Sequence, residues 1–515
     1  MFRALLPIVA GVILADCVTF PLWSVAVGFV LSIAAAWWLK DRAVADLYLV
    51  VAFVLVGVMA AQIRRGVEPT PQMKIAQQGA LAEIEVNRVT SSRANTLLCD
   101  GRLVAIYAGD SAPVQVVGWP VRIEADTSIG VQMGSRLMAY VQLRLYDERS
   151  DNRYESYMAR RGVVGQIRLY AKSVLQHRLA GRGVVRWLHD KALQRLHRLS
   201  LDERSRTVVE AMTIGERASI ATSLRQEYAR SGSAHLLAVS GLHVGFVFAI
   251  INLLLAFFAL FRHGQLWRVV PAVAAIWIYA AVAGASPSVV RAAVMFTLLQ
   301  LAFVVAARTQ ALNSLAFTAS VMIVWNASLL YDVGFLLSFA AVAGIVVWGA
   351  PLSGWHAVTK RPFEKHLSYK SWRRDLLQRV VVLVWQAVAV SVAASVATMP
   401  LTAYMFGVVS LWSVVVGPLM ILLGMAVVSV AMVWILLPIG VLQGFVSWLL
   451  GALTHSMNGI AELCSRSGAL IWEGYISGGV CAVCYLLFAV VTLLLWSRQT
   501  NNPQGYSSKS SSSSI

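Results

Sequence analysis

The sequence predicts a polytopic α-helical membrane protein with a small β-barrel domain inserted after its first helices. Hydrophobic residues make up 58% of the 515 residues, charged residues make up only 13%, and the mean hydropathy is +0.68. Soluble domains carry about 25% charged residues, and apolar runs of roughly 18 residues are long enough to cross a bilayer. Between such runs, residues 72–172 contain short segments typical of strands. These observations exclude an ordinary soluble protein.

Three apolar runs open the chain within a first domain of residues 1–66, at residues 4–20, 21–39 and 44–63. We expect them to be retained as helices, because no signal-peptide cleavage pattern leads from them into soluble sequence. Arg3, Lys40 and Arg42 flank the first two runs. The positive-inside rule then places the N terminus in the cytoplasm and the 72–172 domain outside.

Residues 72–172 contain five predicted strands and a helical piece near Tyr154–Arg161. The strands are Ala80–Thr90, Thr96–Ala108, Trp119–Asp126, Arg136–Tyr146 and Val163–Tyr170. This pattern fits a small, partly open barrel, the OB-like fold, which often binds single strands with aromatic and basic side chains. The alternative is that the aromatic side chains fill the barrel core and the arginines are solvated. The candidates for DNA contact are Arg136, Arg144, Tyr146, Arg160 and Arg161.

Residues 173–231 are predicted to be an interfacial helical segment. Basic and apolar residues recur at helical spacing over 172–200, with a break at Gly181 or Gly183. A basic amphipathic helix of this kind lies on a membrane with its cations against lipid phosphates. Lining an entrance for DNA phosphates is the alternative function.

The remaining apolar runs predict nine spans within residues 232–497, and so about twelve in the chain. We place them near residues 235–261, 268–284, 288–306, 311–328, 331–350, 377–406, 411–438, 440–460 and 476–496. The positive-inside rule puts Arg262, His263, Arg268, Arg308 and the basic loop 351–376 in the cytoplasm. Pro287 and Pro400 are expected to interrupt helices. The tail, 498–515, ends in a serine run and is predicted to be disordered and cytoplasmic.

The stretch His235–Gly245, HLLAVSGLHVG, differs from a lipid-facing helix. Ionisable groups at membrane depth are costly and usually face a bundle interior or a water-filled path. Small residues such as Ser240 and Gly241 let a neighbouring backbone approach closely. The stretch therefore predicts a packed inner wall of the membrane domain.

This stretch resembles the signature of the ComEC family of competence DNA-uptake channel proteins. Further segments resemble that family in the same order: Thr213–Arg217, Leu224–Arg225, Ser286–Ala293, Tyr331–Phe339, Thr398–Leu401 and Phe406–Gly407. The resemblance covers nearly the whole chain. It implies an inner-membrane channel that passes single-stranded DNA into the cytoplasm during natural transformation, with an OB-like domain on the outer face. The partners it implies are single-stranded DNA, membrane lipids, a DNA receptor, a separate nuclease, a cytoplasmic ATPase or single-strand-binding protein, and a second copy of the chain.

Signatures of an enzyme or motor are missing from the sequence. Many members of the resembled family carry a metallo-β-lactamase-like domain, but its H-x-H-x-D-H motif does not occur here. The resemblance is thus to a short member without a nuclease. The sequence also contains no P-loop and no G-x-S-x-G elbow. Cys481 and Cys484 form a C-x-x-C within an apolar pattern that favours buried thiols over a metal or redox site. We expect no cofactor, no metal and no enzymatic activity.

Five polar residues of the membrane domain are candidates for the DNA path: His235, Ser240, His243, Arg291 and Asp332. Ser240 and His243 share a helical face, but no acidic orienter for a nucleophile is recognisable. The two histidines alone rarely make a metal site, and hydrogen bonding within the bundle is the simpler interpretation. Arg291 either snorkels to an interface or meets phosphates in a pore. Asp332 either caps a helix or pairs with Arg291.

Two other functions remain open from the sequence. One is a polytopic transporter or lipid-handling protein for a smaller anionic substrate, in which the basic helix binds lipid. The other is a membrane scaffold that docks a partner through its inserted domain. The net charge of +18 is compatible with lipid or nucleic acid.

Overall fold

The computed structural model describes most of the chain. The described residues are 2–18, 20–39, 42–64, 76–93, 95–107, 113–147, 150, 152–179, 183–262, 264–305, 310–349, 351–352, 369–437, 440–468 and 470–500. Several residues predicted to be cytoplasmic lie outside the described residues: Lys40, His263, Arg308, most of the 351–376 loop and residues 501–515 of the tail.

Helices dominate the described part of the chain. Those before the membrane core are α1 (Phe2–Cys17), α2 (Leu22–Trp38), α3 (Arg42–Arg64), α4 (Arg153–Arg160), α5 (Val184–His197), α6 (Glu203–Thr213) and α7 (Thr222–Arg230). Those of the core are α8 (Gly241–Leu254), α9 (Gly264–Val282), α10 (Pro287–Val305), α11 (Ala311–Trp325), α12 (Val333–Gly344), α13 (Tyr369–Phe406), α14 (Trp412–Val415), α15 (Gly417–Leu436), α16 (Gln443–Ser467) and α17 (Gly478–Thr500).

Three of the described helical segments are long and apolar enough to cross a membrane: Ala43–Ile63, Val384–Phe406 and Gly417–Leu436. Seven shorter apolar helices accompany them: Leu22–Trp38, Gly241–Leu254, Leu266–Val282, Pro287–Ala302, Ala311–Trp325, Val333–Gly349 and Gly478–Leu494. The helical membrane class is therefore supported, whereas the number of about twelve spans stays a prediction.

Two predicted spans need correction. The span predicted at 235–261 begins only at Gly241, because a 3-10 helix, Ala234–Leu237, and an extended stretch precede it. Helix α13 runs without a break through Pro400, where the sequence predicts an interruption of the helix. Pro287, by contrast, is the first residue of α10, a position where its missing amide hydrogen costs nothing.

The N-terminal helices pack closely against each other and against the core. Gly11 lies against the Val54 carbonyl and Gly57 against the Ile8 carbonyl, so that a Cβ at either glycine would overlap backbone. This contact brings α1 and α3 together in the way that small residues allow between membrane helices. Side chains of α1 and α3 share an apolar cluster with Phe335 of α12.

The inserted domain is a seven-stranded mixed sheet. Its strands are β1 (Ala80–Arg93), β2 (Thr96–Tyr107), β3 (Pro113–Asp126), β4 (Ser135–Val141), β5 (Leu143–Leu145), β6 (Gly165–Leu169) and β7 (Val174–Leu179), in the order β5-β6-β3-β2-β1-β4-β7. Only β3 and β6 pair in parallel; the other pairs in this sheet are antiparallel. Side chains that alternate to one face, including Ile84, Leu103 and Ile123, form the domain's core.

The structure corrects the prediction of an OB-like barrel, because the strands form this mixed sheet, which is not a closed barrel. The predicted fourth strand, Arg136–Tyr146, is two strands that part at Gln142: β4 pairs with β1, while β5 pairs with β6. The change of partner within one extended segment requires a strongly curved sheet. A seventh strand, β7, extends the sheet beyond β4.

That seventh strand also corrects the predicted interfacial helix. Of residues 172–200, Val174–Leu179 form β7 and only Val184–His197 form a helix. The backbone of β7 completes its hydrogen bonds on β4, so tertiary pairing outweighs the helical spacing of its apolar residues. Helix α5 keeps exposed apolar side chains at Val184 and Trp187, as an interfacial helix would.

Candidate functional site

The start of helix α8 positions two of the candidate residues. The Ser240 hydroxyl oxygen accepts a hydrogen bond from the His243 backbone N–H at 3.4 Å, and His243 Nδ1 accepts one from the Ser240 backbone N–H at 3.3 Å. This reciprocal capping box satisfies two amide donors that the helix itself leaves unpaired. Both side chains are thus engaged with backbone, which favours a structural role over a nucleophile and its base.

The two histidines have different surroundings. His243 is buried, and its Nε2 has no hydrogen-bond partner among the described residues. His235 lies on the 3-10 helix before α8, with an exposed side chain. Across the part of the chain that the structure describes, no group of three or more His, Cys, Asp or Glu side chains is placed to hold a metal ion. Only His243 therefore offers a polar group inside the core, whereas His235 lies at the surface.

Arg291 lies in the first turns of α10 and is only 6% exposed. Its guanidinium donates a hydrogen bond to the Ser338 carbonyl of α12 and lies 5.7 Å from the centre of the Phe339 ring. Such a position over a ring face is weakly attractive for a cation. The side chain does not reach the surface, as snorkelling would require.

Gly241 makes room for this guanidinium. A Cβ at Gly241 would lie 2.5 Å from Arg291 Nη2, which is shorter than van der Waals contact allows. The arginine consequently joins three elements: the start of α8 through Gly241, its own helix α10, and α12 through the Ser338 carbonyl. A buried cation held by a neutral carbonyl keeps the capacity to bind an anion more strongly.

Asp332 both caps a helix and forms an ion pair. Its Oδ1 accepts a hydrogen bond from the Phe335 backbone N–H at 3.0 Å, so it is the N-cap of α12. Its Oδ2 lies 2.7 Å from Arg161 Nη2. The partner of Asp332 is thus Arg161 rather than Arg291, and the pair connects the inserted domain to the helical core.

Carboxylates engage three of the four candidate arginines of the inserted domain. Arg136 lies 3.9 Å from Glu83 and 3.6 Å from Glu85, and Arg144 lies 2.7 Å from Glu155. Two of the four candidate arginines are thus paired with carboxylates inside the domain. Arg161 is engaged with Asp332, and Arg160 is exposed at the end of α4.

Tyr146 is an internal packing residue of the inserted domain. Its hydroxyl donates to Gln166 Oε1 at 3.2 Å, and its ring meets Tyr154 edge-on with 6.2 Å between centroids. Burial, together with the neighbouring Tyr154, raises the pKa of the Tyr146 hydroxyl above its usual range. The hydroxyl therefore stays a hydrogen-bond donor, and stacking on a base would require its ring to leave this contact.

Gly241 and Ser338 complete the Arg291 site, yet the sequence indicates Gly241 only as a small residue and does not indicate Ser338. Gly241 acts by lacking a side chain, and Ser338 acts through its carbonyl, so neither carries a chemical signal of its own. Both lie within the motif segments His235–Gly245 and Tyr331–Phe339. The presence of both segments among the family motifs was the signal in the sequence that could have led to these two residues.

Comparison with known proteins agrees with the motif segments. The family described as Competence protein matches residues 212–498. ComE operon protein 3 of Bacillus subtilis (strain 168) is 26% identical over 216 residues, which are 42% of this chain and 24% of that protein. An uncharacterized protein of Aquifex aeolicus (strain VF5) is 30% identical over 161 residues, 31% of this chain and 37% of that protein. The chain therefore aligns with about a quarter and just over a third of these two relatives. No solved structure matches.

Proposed function

The chain belongs to the Competence protein family, and from this membership we propose that it passes single-stranded DNA across the cytoplasmic membrane into the cell during natural transformation. The family match over residues 212–498 carries the proposal. It includes every part of the Arg291 site, from Gly241 to Ser338. The ComEC-family resemblance of the motif segments is confirmed by this match.

The chemistry of the cargo determines what the core must provide. A polyanion cannot cross hydrocarbon, because each charge would lose its hydration without compensation. It needs a path lined by protein, with cations that bind phosphates irrespective of sequence. Arg291 is suited to this role, since its present acceptor is an uncharged carbonyl. A phosphate that replaces the Ser338 carbonyl would give a charge-assisted hydrogen bond, which is about twice as strong.

The proposed function also implies which side of the membrane each part faces and which partners the chain needs. The inserted sheet would lie on the outer face and both termini in the cytoplasm. A DNA receptor would deliver the substrate, and a separate nuclease would remove the second strand. A cytoplasmic ATPase or single-strand-binding protein would supply the force that draws the DNA strand inward. A second copy of the chain would complete the path if the path through one copy is too narrow for the strand.

Entry of labelled DNA into the cytoplasm tests the proposal. A transformable strain without the chain would be restored with the wild type, Arg291→Ala or Arg195→Ala. Arg195 is a matched control, since it also donates to a core carbonyl, that of Ile435, yet lies outside the motifs. We expect uptake to return with the wild type and Arg195→Ala and to fail with Arg291→Ala at equal protein levels.

Equal entry of DNA without the chain would reject the uptake function. The smaller-anion transporter would then become the leading hypothesis. Equal rescue by Arg291→Ala would leave the channel in place but remove Arg291 from the path.

A further inference from the structure

Three arginines meet where the sheet faces the helical core. Arg88 lies on β1, Arg217 lies in the loop between α6 and α7, and Arg225 lies on α7. The Arg88 guanidinium lies against Gly284, at 3.4 Å from the position of a Cβ there. Arg225 Nη2 donates to the Arg217 carbonyl at 2.6 Å. The three form what we term the junction cluster, and the sequence motifs did not indicate Arg88.

The loops that hold the junction cluster are closely packed. Gly215, at a φ of +78°, lets the α6–α7 loop approach the Ala283 carbonyl, where a Cβ would lie 2.6 Å from that oxygen. Tyr279 donates to the Thr213 carbonyl at 3.1 Å. Ala285 has a φ of 46°, a left-handed conformation that costs energy in a residue with a side chain. The close packing of these loops therefore holds the backbone around the junction cluster in one position.

The electrostatics of Arg217 are unfavourable in the absence of an anion. Burial and the charges of Arg88 and Arg225 lower the pKa of Arg217 to about 10. Both charges that act on it are cations. Glu216, the acidic residue of the same loop, accepts from the Ala218 backbone N–H and acts on Glu210 instead. Partly buried like charges are costly unless an anion compensates them.

Two donors in the cluster and in the loop beside it have no partner among the described residues. They are the buried Nε of Arg217 and the buried hydroxyl of Ser286, which lies in the loop that carries Gly284. Unsatisfied buried polar groups are few in folded proteins. A ligand with several negatively charged oxygen atoms would give the Arg217 Nε an acceptor and relieve the repulsion between the arginines.

We propose that the junction cluster of Arg88, Arg217 and Arg225 is a binding site for the phosphodiester backbone of a single DNA strand. This rests on the proposed function and gives it an entry site. The cluster lies between the sheet and the loops 214–221 and 283–286 of the core. An extended strand that passes from the sheet into the core would cross this junction, so that its successive phosphates would meet the three cations.

Binding of a fluorescent single-stranded oligonucleotide to the full chain tests the site. The chain would be held in nanodiscs of zwitterionic phosphatidylcholine, and affinity would be measured from 50 to 300 mM salt. Each phosphate contact on a single strand contributes about 0.7 to the slope of log affinity against log salt. We expect Arg217→Gln and Arg88→Gln each to reduce the slope by about 0.7 and to weaken binding about 10-fold at low salt. Arg217→Lys should retain most of the slope, which separates loss of charge from misfolding.

Arg168→Gln is the matched control, because Arg168 lies on the same sheet but is exposed and paired with Glu124 at 2.7 Å. It should behave as the wild type. The site would be overturned if Arg217→Gln and Arg88→Gln bound DNA with the affinity and the salt slope of the wild type. The proposed channel function would then still stand. A variant effect confined to binding of phosphatidylglycerol vesicles would also overturn it, in favour of lipid. The proposed function itself would be rejected if the wild-type chain bound no DNA and cells without the chain took up DNA at an undiminished rate.

Discussion

At the scale of single residues, Gly241 and Arg291 depend on each other. The arginine occupies the space that a side chain at position 241 would need, and it is held there by the Ser338 carbonyl. A methyl group at position 241 would therefore displace the guanidinium and break that hydrogen bond. Overpacking of this kind costs about 1–3 kcal/mol.

A double-mutant cycle measures this dependence. Gly241→Ala should lower the thermal stability of the detergent-solubilised protein, and most of the loss should disappear when Arg291→Ala is also present. The control is Gly459→Ala on α16, where a Cβ meets open space and should leave stability equal or slightly higher. An equal loss from Gly241→Ala with and without Arg291 would contradict the close contact.

Cys99 offers a second residue-scale prediction, in the core of the sheet. Burial raises the pKa of its thiol to about 12, and only the thiolate reacts with alkylating reagents. Compared with an ordinary thiol, this pKa lowers the thiolate fraction at pH 8 by about a thousandfold. Because the shift is upward, Cys99 should stay almost unreactive to N-ethylmaleimide from pH 7 to pH 9.5 in the folded protein.

Mass spectrometry of the labelled peptides would check this reactivity. The exposed Cys17 is the internal control, and unfolding in detergent and heat should equalise the two rates. Rapid labelling of Cys99 in the folded protein would mean that the core of the sheet opens to solvent.

At the scale of elements, helix α12 is held by arginines of two different domains. Its N-cap Asp332 binds Arg161 of the inserted domain, and its Ser338 carbonyl binds Arg291 of the core. Three substitutions separate the two roles of Asp332. Asp332→Asn keeps a capping oxygen and loses the ion pair, Arg161→Gln also loses only the pair, and Asp332→Ala loses both.

We expect Arg161→Gln to be the costlier of the two changes that break the pair, because the Asp332 side chain is only 8% exposed and would keep its charge without a partner. Asp332→Asn removes that charge and should cost about 1 kcal/mol or less. Asp332→Ala should cost about 1 kcal/mol more, the value of an N-cap. Thermal unfolding of the three variants measures the difference. Equal losses from Asp332→Asn and Asp332→Ala would show that the cap is not needed.

How far the sequence predicts the elements depends on the kind of interaction that forms them. Apolar runs placed most helices, and alternation placed the strands at Ala80, Thr96 and Gly165 to within a few residues. The change of partner at Gln142 and the strand Val174–Leu179 were missed, because both depend on which distant backbone is available for pairing. For the site, the polar residues of the motifs were identified, whereas the Arg161–Asp332 pair joins residues of different domains and has no local signature.

At the scale of the whole molecule, the distribution of charge predicts which side of the membrane each part faces. The positive-inside rule predicts that the sheet lies outside and the α8–α9 loop inside. In a variant whose five cysteines are replaced by serine, Tyr170→Cys directly after β6 and Arg262→Cys in the α8–α9 loop provide two exposed test positions.

A membrane-impermeant maleimide should label Tyr170→Cys in spheroplasts and should label Arg262→Cys only after permeabilisation. Labelling in the opposite order would invert the topology, and it would place the junction cluster at the cytoplasmic end of the path. Function of the serine-substituted parent in DNA uptake is the control for its integrity.

The contact between Gly241 and Arg291 also has an evolutionary consequence. A lineage that keeps the arginine cannot add a side chain at position 241, and one that loses the arginine leaves a space there that a larger residue can fill. The two positions should therefore vary together among relatives. Position 338 contributes only its backbone carbonyl to this contact. Its side chain should therefore vary among relatives independently of positions 241 and 291.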